Sequence, residues 1–99
     1  MDDEEFMLEL LDIFLDDMPK QLELLRHAVE SQDADAAAKT AHRMKGSSGN
    51  VGADPLSDLC NRVEMSGRNG EIEPTLLKDI DSEWGRVKEF LTQVKEQAG

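Results

Sequence analysis

Apolar residues recur every three or four positions along most of the chain, and nowhere do they alternate with a period of two. Phe6, Met7, Leu10, Leu11, Phe14 and Met18 make a first stripe, and Leu22, Leu25, Ala28 and Val29 a second that runs to about Ser31. This spacing puts side chains on one face of an α-helix. Pro19 lies between the stripes and predicts a boundary, because proline suits a first helical turn and breaks an interior one. Asp33 is placed to cap a third helix through "ADAAAKTAHRMKGSSG". "NVGADP" predicts a turn, with Asp54 as cap and Pro55 at the first helical position. Leu56, Leu59, Cys60 and Val63 mark a fourth helix, ended by the breakers Gly67 and Gly70 in "SGRNG". After Pro74, the series Leu77, Ile80, Trp84, Val87, Leu91 and Val94 keeps a 3-4-3-4-3 rhythm.

Five helical segments joined by short connections predict an all-α fold. Four of them form an up-down antiparallel bundle, and the short extra N-terminal helix caps one end. A chain of 99 residues encloses one core, so residues 1–99 are expected to be a single domain. With no tyrosine, three phenylalanines and one tryptophan, that core is mostly aliphatic and methionine.

Charge narrows the function. The net charge of −11 argues against nucleic acid, whose phosphates need Lys and Arg. No run of 18 apolar residues is present, so no membrane span is expected, and no basic stretch opens a secretory signal. Cys60 is the single cysteine, which suits a reducing cytoplasm and a place in the core. The charge is also uneven: residues 1–37 sum to −10, residues 38–68 to +2 and residues 69–99 to −3. The middle third is where an anion is received.

That third contains "AHRMKGSSGNVGA", with His42, Lys45, Gly46 and Gly49. At 100° per residue, Ala34, Ala37, Ala41, Met44, Ser48 and Val51 share an arc of ~100° facing the bundle. His42 lies about 130° from its middle and points outward. Ala38, Lys39, Lys45, Gly46 and Gly49 frame the imidazole with small residues and cations. Imidazole is nucleophilic near neutral pH, and nearby cations can hold a phosphoryl group placed on its nitrogen. The other ring nitrogen then needs an acceptor. Glu64 is the candidate, at the shoulder of the fourth helix, with Arg68 four residues on. His27 lacks such a frame and reads as an ordinary surface residue. His27, His42 and Cys60 match no metal-ligand spacing, so no metal is expected. "GSSGNVG" lacks the order of a phosphate-binding nucleotide loop, so no nucleotide or other cofactor is expected either.

"HRMKGSSGNVGA" followed by "LSDLCNRVEMSGRNG" resembles the histidine phosphotransfer (HPt) domains of multistep phosphorelays, with Met44 where leucine is commoner. The resemblance implies a carrier without kinase activity, which moves a phosphoryl group between aspartates of response-regulator receiver domains. It makes His42 the phosphoacceptor through its distal nitrogen, Lys45 the cation that neutralises the phosphoryl group, and Glu64 the partner of the proximal nitrogen. Gly46 resembles the glycine that leaves room for a receiver, and Arg68 stands where some members place a basic residue. Gly49, Arg43 and Lys39 complete the expected partner face. The implied partners are receiver domains and a hybrid sensor histidine kinase, bound by a monomer. A helical scaffold that binds partners without chemistry is the alternative reading.

Overall fold

The computed structural model describes residues 2–98 and contains four helices. They are α1 (Asp3–Glu30), α2 (Ala34–Asn50), α3 (Asp54–Arg68) and α4 (Pro74–Ala98). Each helix packs on its neighbours in sequence, and α4 closes the ring on α1. This is the up-down bundle that the short connections predict. The separate N-terminal helix is not found: α1 runs unbroken through Pro19. The reason is the phase of its apolar face. Leu11, Phe14, Met18, Leu22, Leu25 and Ala28 are buried in steps of three and four on both sides of the proline. A break would turn half of that face away from the core. Pro19 itself is exposed, where its missing N–H costs least.

The core is aliphatic, with methionine and one aromatic pair. Phe14 of α1 meets Trp84 of α4 edge to face at 5.5 Å. Met18, Leu25, Met44, Leu56, Ile80 and Cys60 are sealed from solvent, and burial pushes the Cys60 thiol up to about 12, so it behaves as a small apolar side chain. In α4 the inward stripe begins at Leu76 rather than Leu77, which is half-buried. Phe6 and Met7, expected in the core, are 60% and 48% exposed. The cause is length: α1 and α4 have 28 and 25 residues, against 17 and 15 for α2 and α3. The first turns of α1 therefore extend beyond the four-helix core.

The first three helices end in one way. At each end the second residue past the cap bonds back five positions: Asp33 to the Ala28 carbonyl, Ala53 to Ser48 and Glu71 to Ser66. The motif needs a left-handed residue, and Gln32, Gly52 and Gly70 supply it at φ of 57°, 76° and 77°. Asp33 caps α2 as expected, accepting from the Ala36 N–H at 3.0 Å. The start of α3 differs from expectation by one residue. Ala53 holds the cap position without a side-chain bond, and Asp54 enters the first turn, where its charge favours the helix dipole.

Candidate functional site

Helices α2 and α3 are joined by a three-residue connection and lie antiparallel in close contact. Their facing residues form rungs about one turn apart. Ala38 meets Gly67, His42 meets Glu64, Lys45 meets Asn61, and Gly49 meets Ser57. The site occupies the two middle rungs.

His42 is 61% exposed at its side chain and points outward as the helical wheel predicts. Glu64, 5% exposed, lies beneath it. The two meet at 2.9 Å between His42 Nδ1 and Glu64 Oε2. Lys45 Nζ lies 2.7 Å from Glu64 Oε1 and 3.4 Å from Asn61 Oδ1. Arg68 brings two guanidinium nitrogens to Glu64 Oε2, with Nε at 3.0 Å. Together the Lys45 ammonium, the Arg68 guanidinium and the His42 ring hold the Glu64 carboxyl down at about 2 against the opposing effect of burial. Glu64 is therefore an anion at neutral pH and can only accept. That assigns the proton of a neutral His42 ring to Nδ1, leaving the lone pair of Nε2 facing solvent.

Around the outer face of the ring runs an open depression lined by Asp35, Ala38, Lys39, Arg43 and Arg68. Lys39 pairs with Asp35 at 3.0 Å, an exposed contact of little energy. Arg43 is exposed and makes no ion pair among the described residues. Gly46 has open space where a side chain would project, with nothing within 4 Å of an added Cβ. Gly49 is exposed on the next turn of α2, with Ser57 Oγ of α3 3.7 Å from where a Cβ would stand. Lys45 lies on the Glu64 carboxylate, which is bonded to the Nδ1 side of the ring. His27 is remote from this site, exposed on α1.

Sequence reasoning missed Asn61 and Ser57. Asn61 holds the Lys45 ammonium, and Ser57 Oγ donates to the Lys45 carbonyl at 3.0 Å, tying α3 to the turn of α2 that carries the site. Their signal was position alone: they precede Glu64 by three and seven residues on the same helix face.

An exposed imidazole whose inner nitrogen is held by a buried, cation-ringed carboxylate, on a four-helix bundle, has the geometry that suits a carrier of a group on histidine nitrogen. Residues 9–97 match the family model described as Hpt domain, and the chain belongs to that family, the histidine phosphotransfer domains of two-component phosphorelays. It is 27% identical over 94 residues to the phosphorelay intermediate protein rdeA of Dictyostelium discoideum, covering 89% of this chain. The chain spans 37% of the length of that relative. Among solved structures, it is similar to histidine-containing phosphotransfer protein B (HptB) from Pseudomonas aeruginosa PAO1. The TM-score is 0.92 at 34% identity, over 96% of this chain and 84% of that one. The fold also matches the HPT domain of a sensor hybrid histidine kinase from Shewanella, with a TM-score of 0.80 at 24% identity over the same shares. Hpt domains in phosphorelays work with receiver domains and histidine kinases. Among the described residues no helix is long and apolar enough to cross a membrane.

Proposed function

We propose that this chain is a single carrier domain over residues 1–99, which takes a phosphoryl group from an aspartyl phosphate of one receiver domain and delivers it to an aspartate of another through Nε2 of His42. The observation that carries this reading is the His42 Nδ1–Glu64 contact at 2.9 Å, which leaves Nε2 open and unprotonated. Nε2 attacks phosphorus; an N–P bond forms as the bond to the aspartate oxygen breaks, and the donor leaves as a free carboxylate. The ring keeps its Nδ1 proton and becomes cationic, a charge that the Glu64 anion stabilises. The reverse sequence loads the next receiver. No proton has to leave the protein in either direction.

Lys45 acts first on Glu64, and Arg43 and Arg68 border the route by which the phosphoryl group arrives. Gly46 leaves that side clear for a receiver, and Lys39 adds charge for its approach. The chain acts without a kinase site of its own and without a cofactor; Mg²⁺ and the reacting aspartate belong to the receiver. A bundle that closes its core within one chain supports a monomer, and a buried unpaired thiol supports a cytoplasmic setting.

Mixing the protein with a radiolabelled phosphorylated receiver tests this reading. Label should pass to the wild type in an acid-labile, base-stable form and should not pass to His42→Gln. Equal labelling of that variant would overturn it.

A further inference from the structure

The rung beside His42 and Glu64 leaves no room for a side chain on α3. Gly67 is buried within α3 and faces the first turns of α2. A Cβ at this position would stand 2.6 Å from the Ala34 carbonyl oxygen, 2.9 Å from Ala38 Cβ and 3.1 Å from Ala38 N. Ordinary contact begins near 3.4 Å, so even alanine would have to push the helices apart by about 0.8 Å. Two of the three atoms are backbone and cannot rotate aside. The neighbouring rungs are bridged by long side chains that follow the helix positions, whereas this one sets them.

Gly67 is three residues from Glu64, and Ala38 four from His42; each lies one turn from its partner on the same face. The width of this rung therefore sets the height of the Glu64 carboxylate beneath the imidazole. We propose that Gly67 is a positioning residue for phosphotransfer. By letting α3 seat against Ala34 and Ala38, it holds Glu64 Oε2 within hydrogen-bond reach of His42 Nδ1, and so selects the ring tautomer that presents an unprotonated Nε2. This rests on the reading of His42 as the phosphoacceptor. It differs from the ordinary reading of a glycine near a helix end, which is conformational freedom: Gly67 is helical, and the residue with positive φ is Gly70.

A Gly67→Ala variant tests it by two readouts. In the unphosphorylated protein, nitrogen-15 NMR of His42 reports which ring nitrogen carries the proton, with no receiver present. The variant, folded by circular dichroism, should lose the preference for Nδ1–H. Its transfer rate at saturating phosphorylated receiver should fall about tenfold while the half-saturating receiver concentration is unchanged, since the fault lies in alignment rather than docking. In a Glu64→Ala background, where there is nothing left to position, the same substitution should change the rate by less than about twofold. Leu91→Ala, a core truncation in α4, should lower stability and leave tautomer and rate alone. If Gly67→Ala is too unstable to study, Ala38→Ser thickens the same rung from α2 and should shift tautomer and rate the same way by less. An unchanged tautomer in the folded Gly67 variant, or in Ala38→Ser where that variant stands in, overturns the proposal. So does an equal loss of rate with and without Glu64. If wild-type His42 carries the Nδ1 proton yet takes no label from a receiver, the phosphoacceptor reading fails instead, and the role assigned to Gly67 in transfer falls with it.

Discussion

A carboxylate removed from water is costly unless its charge is answered, and Glu64 is answered from three sides, by Lys45, Arg68 and the Nδ1 proton of His42. Its ionised form is favoured in the folded protein, down to about 2 from an ordinary 4.5. A lowered folded-state value means that the stabilisation is complete above about 4.5 and is lost as pH falls through about 2. Urea unfolding should therefore show Glu64→Gln less stable than wild type at pH 7, with the gap narrowing steadily between pH 4.5 and pH 2. A constant gap would mean that the charge contributes nothing. Gly46 supports a different kind of prediction. Its surroundings are empty, so Gly46→Gln should keep or raise the melting temperature by the helix preference of up to ~1 kcal/mol. Transfer from a phosphorylated receiver should slow by about tenfold or more, because the new side chain stands one turn from the imidazole on the docking side. Acetyl phosphate, being small, should be hindered less if it labels His42. The outward aspect of His42 and the shared edge of Glu64 and Arg68 were legible beforehand from helical spacing within each helix, and the family resemblance supplied the pairing across helices. The placement of Lys45 on the Glu64 carboxylate and its bond to Asn61 were not, because a lysine's reach leaves several acceptors open until the neighbouring helix is placed.

Helices are where local preference and tertiary packing compete, and α1 shows packing winning. Pro19 removes a backbone bond from its interior, yet the core face continues in phase across it. Pro19→Ala should restore that bond and raise stability by about 1–3 kcal/mol, the full helix cost being partly offset by a more flexible unfolded chain. Gln32 is the other strained point, in the left-handed region that Gly52 and Gly70 occupy at the equivalent ends of α2 and α3. Gln32→Gly should stabilise by about 0.5–1 kcal/mol, measured by denaturant midpoint at constant slope. These two positions also mark where reading the chain goes astray. A proline between two stripes predicts two helices unless the phase of the stripes is followed through it. Gly67 and Gly70 look alike as breakers in "SGRNG", but only one has the positive φ; the other serves a contact with a helix thirty residues away.

The whole molecule is elongated, 44 by 22 by 19 Å, because α1 and α4 outrun the shorter pair. Toward their far ends the two long helices are linked by the Asp12–Lys95 ion pair, and Phe6, Met7 and Phe90 there are exposed. Amide hydrogen exchange should thus be fastest in the first two turns of α1 and the last two of α4, and slowest around Met44, Leu56 and Cys60, where α2 and α3 meet the core. Uniform protection along α1 would contradict this. The division leaves the site on the firmest part of the bundle, which suits a carrier that must hold a ring and a carboxylate in register while successive partners dock.

The most direct measurement is nitrogen-15 and phosphorus-31 NMR of the protein after loading from a phosphorylated receiver. The account predicts one phosphorus, bonded to Nε2 of His42, with the proton retained on Nδ1. Phosphorus on Nδ1, or on any other residue, would contradict it.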